Sequence, residues 1–439
     1  MLLVLVGVIA LVTVGWAYQL MAPGYPDAGS TVWAVYLESL FLSGLLSVAL
    51  MSMVMVLATR PAWLEKPLGG MDKIYRLHKW GGIMAVLFAA AHWLLEMSED
   101  LFENLAGRGA RLDADEFSAF PGGLRDLGED LGEFVIYLMF AMLLLSLWRQ
   151  FSYRLWRPLH RAMPALYLLV VFHAVVLAPA GYWQGPLGWL MAVLFVAGSV
   201  ASVWSLTGRI GAGRSSEGTV ISVERVSRDI LEVTCKLADT WRGHRAGQFA
   251  FVIFDRFEGH HPFTIASADR GDKTVTFAIK ALGDYTQKLS GRLVAGDPVK
   301  VEGPYGRFQL DRARAGVRQI WVAGGIGITP FLAWLESLDS RGEDEVRADV
   351  HYCVTDPGHD PFVARLESLC AARPGVDLHL HGGASGRLTA EALAADAARG
   401  ERAEVWFCGP QGMADSLRKG LRRLWPGRVR FHQEAFRMR

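Results

Sequence analysis

The stretch Arg76-Leu77-His78-Lys79-Trp80-Gly81-Gly82-Ile83-Met84-Ala85-Val86-Leu87-Phe88-Ala89-Ala90-Ala91-His92 sets two histidines 14 residues apart across an apolar run. Fourteen residues are close to four helical turns, so on one helix the two imidazoles face the same way, about 21 Å apart along the axis. A second apolar run, residues 159–178, carries His160 and His173, 13 residues apart. On an ideal helix that spacing leaves them about 140° out of phase, and Pro164, one turn after His160, offers a place for the helix to distort. These four are the only histidines in the first 210 residues. A single one could serve merely as a hydrogen-bonding group between helices. Two matched pairs point to ligation, because an intramembrane ionisable group is costly and usually functional.

Runs long enough to span a membrane read at about 2–21, 32–58, 80–97, 131–148, 159–178 and 187–206, which predicts six spans. Ten of the 15 tryptophans precede residue 210, several at span ends, where amphipathic rings anchor at the interface. The whole 439-residue chain is 51% hydrophobic with a mean hydropathy of +0.22, too apolar for a wholly soluble protein. Lys plus Arg (45) against Asp plus Glu (44) leaves a charge of +1, which excludes nucleic acid as a partner. Cys235, Cys353, Cys370 and Cys408 all fall in the second half, which excludes a disulfide-built secreted fold. The first run lacks the basic n-region of a signal peptide and is read as a helix.

Loop charge predicts the orientation. Residues 60–79 carry five basic and two acidic side chains, and 149–161 carry four arginines and no acid. Both are expected inside, and the 98–130 segment, with nine acids and three arginines, outside. Both termini and everything from Gly208 onward are then cytoplasmic. With that polarity His78 pairs with His160 at the inner face and His92 with His173 at the outer. Each pair can ligate one haem iron axially, leaving no open position, which suits electron transfer. Zinc would ask for a tighter cluster of three or four ligands. Arg76, Lys79, Arg157 and Arg161 crowd the inner pair; they suit haem propionates, and the positive-inside rule explains them equally.

From about Gly218 the pattern changes to period-two strands at 219–226, 230–236, 249–254, 274–280 and 297–302, which predicts a small antiparallel barrel. After Gly316, strands alternate with helices (319–322 into 330–338, 346–353 into 361–370, 405–408 into 413–424), as in a parallel α/β sheet. The expected organisation is therefore an all-α membrane domain over 1–210, a β-barrel domain over 217–312 and an α/β domain over 316–439. Residues 208–216 read as a flexible hinge.

Three motifs carry chemistry in this half. His261-Pro262-Phe263-Thr264-Ile265-Ala266-Ser267 follows Ala246-Gly247-Gln248-Phe249. Ile279-Lys280-Ala281-Leu282-Gly283-Asp284-Tyr285-Thr286 runs a strand through glycine into a helix start whose amides can hold a diphosphate, with Lys280 adding a cation. Val322-Ala323-Gly324-Gly325-Ile326-Gly327-Ile328-Thr329-Pro330-Phe331 is a strand, a glycine turn and a helix opening, partnered by Phe407-Cys408-Gly409-Pro410. Backbone at such a turn approaches phosphate closely and the helix dipole favours its charge.

The combination resembles the ferric reductase and NADPH oxidase superfamily, in which a six-helix di-haem membrane domain is fused to a ferredoxin-NADP reductase-like module. The resemblance runs from His78 to the C-terminus. It implies that His261, Pro262, Phe263, Thr264 and Ser267 line the flavin of FAD, with Lys280 and Thr286 at its phosphates. It also implies that Gly325, Gly327, Thr329 and Pro330 hold NADPH or NADH, with Cys408, Gly409 and Pro410 beside the nicotinamide and Thr264 and Cys408 at the hydride transfer. Relatives end with an aromatic residue stacked on the flavin, for which Phe436 is the candidate; packing of the last strand is the plainer role. Two features depart from the family. Tyr352-Cys353-Val354-Thr355-Asp356 lacks the arginine that NADPH-preferring members carry after this strand. Glu96 stands where animal oxidases place a histidine beside the outer haem, a carboxylate that does not favour superoxide.

The resulting expectation is an electron wire: hydride from NAD(P)H to FAD, then single electrons through two b-type haems to a small-molecule acceptor outside, a ferric chelate or dioxygen. A flavin must stand between a two-electron donor and a one-electron haem. Two other classes are open: a membrane-tethered flavoprotein reductase serving a cytoplasmic partner, and a nucleotide-binding redox sensor.

Overall fold

The computed structural model describes residues 2–21, 31–107, 119–148, 150–255, 259–310, 317–341, 346–383, 386–395 and 402–433, so Phe436 lies outside the described residues. The chain divides into two compact units, Met1–Ile210 and Gly211–Arg439.

The first unit is helical: α1 (Leu2–Leu20), α2 (Thr31–Ala58), α3 (Ala62–Leu68), α4 (Met71–Glu96), α5 (Glu99–Ala106), α6 (Gly122–Leu147), α7 (Tyr153–His160), α8 (Met163–Leu177) and α9 (Pro186–Leu206). Among the described residues, α1, α2, α6, α9 and the Leu155–Leu177 stretch are each long and apolar enough to cross a membrane. Helix α4 passes that test only together with α5, across a 48° bend, and then makes a sixth. It starts at Met71, ahead of the expected residue 80, and its first turns carry Asp72, Lys73, Arg76 and Lys79. The acidic segment expected as an outer loop contains α5 and the opening of α6.

Helix α2 is the hub, with 67% of its apolar window buried against 11% for α1. Inside the bundle, Ser47 Oγ donates to the Ala85 carbonyl (3.0 Å) and Ser52 and Tyr167 share a hydroxyl hydrogen bond (2.8 Å). These bonds satisfy polar groups where no water can. Leu87, Leu94, Trp189, Val193, Val196 and Val200 are exposed, an apolar exterior suited to lipid.

The fifth predicted span is broken between α7 and α8. Pro164 has no N–H to return to the His160 carbonyl. The chain tightens instead: Ala162 N–H bonds to the Leu159 carbonyl (3.0 Å) before Leu166 N–H resumes on Ala162 (3.2 Å). Three-residue steps turn the chain by about 120° in place of about 100°, so a break here re-phases the residues on either side.

The second unit holds two sheets. Strands β1 (Ser215–Arg225), β2 (Ile230–Leu237), β3 (Phe249–Ile253), β4 (His261–Thr264), β5 (Thr274–Lys280) and β6 (Pro298–Tyr305) form an antiparallel sheet in the order β4-β3-β6-β1-β2-β5. A bridge from Ile265 to Phe277 brings its two edges together, around a core that includes Val233, Val252, Ile265, Phe277 and Val301. Helix α10 (Asp284–Leu289) follows β5. Ahead of β1, Gly211 packs against the carboxyl group of buried Glu302, leaving no room for a side chain, so the expected hinge is anchored at this residue.

The second sheet is β7 (Arg318–Gly324), β8 (Ala348–Cys353), β9 (Val376–His381), β10 (Ala403–Cys408) and β11 (Val429–Gln433), all parallel, in the order β11-β10-β7-β8-β9. Helices α11 (Thr329–Arg341) and α12 (Val363–Ala371) pack on one face, and α13 (Ala390–Ala395) and α14 (Gln411–Leu424) on the other. The sequence pattern anticipates neither β9 nor α13. The strand order reverses between β7 and β10, the switch point where such sheets bind ligands. A shared core joins this sheet to the barrel: Trp334 of α11 donates to the carbonyls of Ala246 (3.1 Å) and Phe308 (3.3 Å). Gly247, with φ +88°, leaves the space that Trp334 fills.

Candidate functional site

The helical unit brings its four histidines together as two facing pairs. His78 meets His160 with ring centroids 6.1 Å apart and planes at 75°; His92 meets His173 at 6.1 Å and 89°. Two metal–imidazole bonds of about 2.0 Å and two ring radii of about 1.1 Å would place opposed ligands on one metal about 6.2 Å apart. Both pairs have that separation. Among the described residues, no group of three or more His, Cys, Asp or Glu side chains is placed to hold a metal.

Backbone carbonyls orient the rings. His78 Nδ1–H donates to Val54 O (3.1 Å), His92 Nδ1–H to Leu40 O (2.9 Å) and His173 Nδ1–H to Gly128 O (2.8 Å). A carbonyl only accepts, so Nδ1 carries the proton and Nε2 keeps the lone pair for a ligand bond. Leu40 and Val54 are 14 residues apart on α2, the spacing of His92 and His78 on α4, so two packed helices hold both rings in one register. The His92–His173 pair adds a second device. Gly44, one turn beyond Leu40, faces the His92 ring so closely that a Cβ would stand 3.2 Å from it, and Gly132, one turn beyond Gly128, lies so close to His173 that a Cβ would overlap Nδ1. Each ring rests on helix backbone that a side chain would cover.

In the barrel, Thr264 ends β4 opposite Phe249. His261 stacks on Tyr285 at 3.9 Å and 11°, and Phe263 lies 6.4 Å from His261. Pro262 pairs with Phe251 in the ladder. Ser267 is fixed twice: its hydroxyl accepts from Thr276 N–H (3.2 Å), and its carbonyl accepts from buried His244 Nε2 (2.9 Å). Burial holds the His244 pKa below its ordinary value, consistent with a neutral ring. Lys280 pairs with Asp229 at 3.3 Å. Thr286 Oγ1 accepts from the amides of Leu282 (3.0 Å) and Gly283 (3.1 Å), so it occupies two donors of the turn expected to face a diphosphate.

At the switch point the two glycine-bearing turns interlock. Gly325 (φ +55°) opens a 3-10 turn, Gly325–Ile328, that leads into α11 at Thr329 and Pro330. Thr329 Oγ1 donates to the Ile326 carbonyl (3.1 Å). A Cβ on Gly327 would strike the Cys408 carbonyl, and one on Gly324 would stand 2.6 Å from Pro410. The glycines therefore let the β7 and β10 turns meet, with Cys408 buried and Gly409 against Gly324. Beyond β8, Asp356 accepts from Gly358 N–H (3.1 Å) and His359 Nδ1 (2.7 Å). The hydrogen bond from His359 holds its carboxyl below the usual range. Arg365, a cation that could replace the missing family arginine, is engaged by Glu336 and by Glu232 (3.2 Å).

Sequence reasoning missed the carbonyls of Leu40, Val54 and Gly128 and the notch glycines Gly44 and Gly132. The carbonyls leave no trace in a sequence. Glycines inside apolar spans are the one available signal, and by themselves they do not say what they face.

Residues 43–171 match the family model described as ferric reductase like transmembrane component, which ends two residues short of His173, and residues 215–309 match an FAD-binding domain. The reductase component of propane 2-monooxygenase from Mycolicibacterium goodii is 26% identical over 216 residues, covering 45% of this chain and 60% of that protein. Ferric reduction oxidase 8, mitochondrial, from Arabidopsis thaliana is 32% identical over 175 residues (35% of this chain, 24% of that one). Respiratory burst oxidase homolog protein E from the same plant is 26% identical over 216 residues (42% and 22%). The chain thus matches less than two thirds of the length of each of these relatives.

Proposed function

The chain belongs to the ferric reductase and NADPH oxidase superfamily, and we propose that it moves electrons across a membrane, from cytoplasmic NAD(P)H to an acceptor outside. The observation that carries this reading is the pair of facing histidine couples, each at 6.1 Å. Each facing pair could hold one b-type haem through its imidazole nitrogens, and such a haem would supply one-electron transfer. When bound, FAD splits the two electrons of a hydride into the single electrons that two haems pass on.

The chain's own groups have the remaining tasks. His78 and His160 hold one haem and His92 and His173 the other, with carbonyl-bonded Nδ1–H groups keeping three Nε2 atoms aimed inward. Thr264 and Ser267 border the flavin, and the interlocked Gly325–Ile328 and Cys408–Pro410 turns receive the nucleotide. By loop charge, the reductase unit and both termini are cytoplasmic. The terminal acceptor is a ferric chelate before dioxygen, because Glu129, Asp130 and Glu133 on α6 follow directly on Gly128, which holds His173, and negative charge draws a cationic centre.

A reduced-minus-oxidised difference spectrum of the purified protein tests this reading: two bis-imidazole haems per chain are expected, and their absence overturns it. Near-perpendicular ligand planes predict strongly anisotropic low-spin EPR signals from both. Similarity to a monooxygenase reductase component favours a second reading, a tethered reductase for a cytoplasmic partner; that protein would lack haem.

Two predictions concern the reductase unit. Thr264→Val is expected to slow flavin reduction in stopped flow by about tenfold or more, a barrier increase of about 1.4 kcal/mol, with FAD affinity nearly unchanged. Collapse of FAD affinity with unchanged hydride transfer would make Thr264 a holding residue only. NADH is expected to be used within about tenfold of NADPH in kcat/KM, or better. Asp356 sets a carboxylate beyond the second strand, where a 2′-phosphate would need a cation, and Arg365 is committed to Glu232 and Glu336. A preference for NADPH above about a hundredfold would show another cation in that role.

A further inference from the structure

Three of the four histidines are oriented by a carbonyl, and His160 is not. Its Nδ1 is buried without a hydrogen-bond partner among the described residues. In place of an acceptor, Trp156 lies on the ring face, with centroids 4.6 Å apart and planes within 17°. Trp156 is one turn before His160 on α7, where side chains four residues apart meet. Its indole N–H donates to Ser146 Oγ on α6 (2.9 Å), so the ring that braces His160 is tied to a neighbouring helix. The brace stands where it is needed: His160 is the last residue of α7, and the break to α8 follows at once.

We propose that Trp156 is a positioning residue for His160, fixing by stacking the imidazole plane that carbonyls fix for His78, His92 and His173. The inference rests on the di-haem reading above. A flat face against the imidazole blocks rotation about its Cβ–Cγ bond and holds the ring at 75° to His78. Stacking orients without accepting the Nδ1 proton, so it does not strengthen the ring as a donor in the way a carbonyl does. His160 is then the weakest donor of the four, and the inner pair stabilises ferric iron less than a doubly hydrogen-bonded pair would.

The test uses the full-length protein with haem bound and compares wild type, Trp156→Ala and Trp156→Phe. Haem content is read by pyridine haemochrome, ligand geometry by EPR of the ferric protein, and potentials by redox titration. Trp156→Ala is expected to shift or remove one of two low-spin signals and one of two titration waves. The other signal stays in place and reports that the bundle is folded. Trp156→Phe, which keeps a flat face, restores the wild-type signal in large part. If Trp156→Ala leaves both signals and both waves in place, or moves them together, the positioning role is overturned and the di-haem reading stands. A wild-type protein without haem overturns both.

Discussion

Replacing His92 with alanine is expected to remove about half the haem from the purified protein and to abolish reduction of an outside acceptor. Oxidation of NAD(P)H by a soluble acceptor on the cytoplasmic side continues. His92 and His173 make one pair and His78 and His160 the other, and the two residues on α4 are separated by 14 positions. Loss of one ligand therefore leaves the second site with its own histidines, its own carbonyl at Val54 and its own helix packing. The substitution also vacates the Leu40 carbonyl. That vacancy adds little cost, because a helix-interior carbonyl keeps its backbone bond. The flavin and nucleotide motifs lie in the separate compact unit from Gly211 onward, so the soluble half-reaction needs neither histidine. Haem stoichiometry and the two activities, measured on one preparation, check the prediction. A variant that keeps its full haem content would remove His92 from the ligand set.

Much of this was legible because the chemistry sits in side chains with unusual cost or geometry. Four histidines in apolar runs stand out, and their in-to-out order alone dictates the pairing His78 with His160 and His92 with His173 that the rings adopt. The out-of-phase spacing of His160 and His173 also carried its own solution, since Pro164 marks where the helix cannot continue and the chain breaks just before it. The β7 turn was readable for the same kind of reason: a strand, glycines and a helix-opening proline in sequence.

What stayed hidden is of two kinds. Backbone acceptors such as Val54 O have no residue code, and nothing in the sequence sets Trp156 apart. Strand β9 was missed because Val376-Asp377-Leu378-His379-Leu380-His381 alternates apolar with polar, whereas the expected signal for a parallel strand is a continuous apolar run. It lies at the sheet edge, where only one face is covered. The cluster this creates, with His351 on β8 stacked on His379 at 4.7 Å and bonded to His381 at 3.0 Å, also follows from strand register. Burial pushes the pKa of His351 down to about 3, so its ring lies neutral between the other two.

The notch glycines give the sharpest structural test, because they grade the expected damage. A Cβ on Gly132 would overlap His173 Nδ1, the atom that donates to Gly128 one turn earlier on the same helix. The ring cannot keep that bond and make room, so Gly132→Ala is expected to displace His173 and to lose the outer haem, matching His92→Ala in haem content. Overpacking of this kind costs about 1–3 kcal/mol, and the lost second-shell bond about 10–100-fold in ligand affinity. At Gly44 the same methyl would find His92 at 3.2 Å, a contact that a shift of a few tenths of an ångström relieves. Gly44→Ala is therefore expected to keep both haems and to alter only the outer EPR signal. Gly7 on α1 has no neighbour within 4 Å, and Gly7→Ala should change nothing. Full haem content in Gly7→Ala and Gly44→Ala, with about half lost in Gly132→Ala, is the expected result. Equal loss in all three would point to general disruption of the bundle, and full retention in Gly132→Ala would mean that the outer histidine does not dock on the α6 backbone.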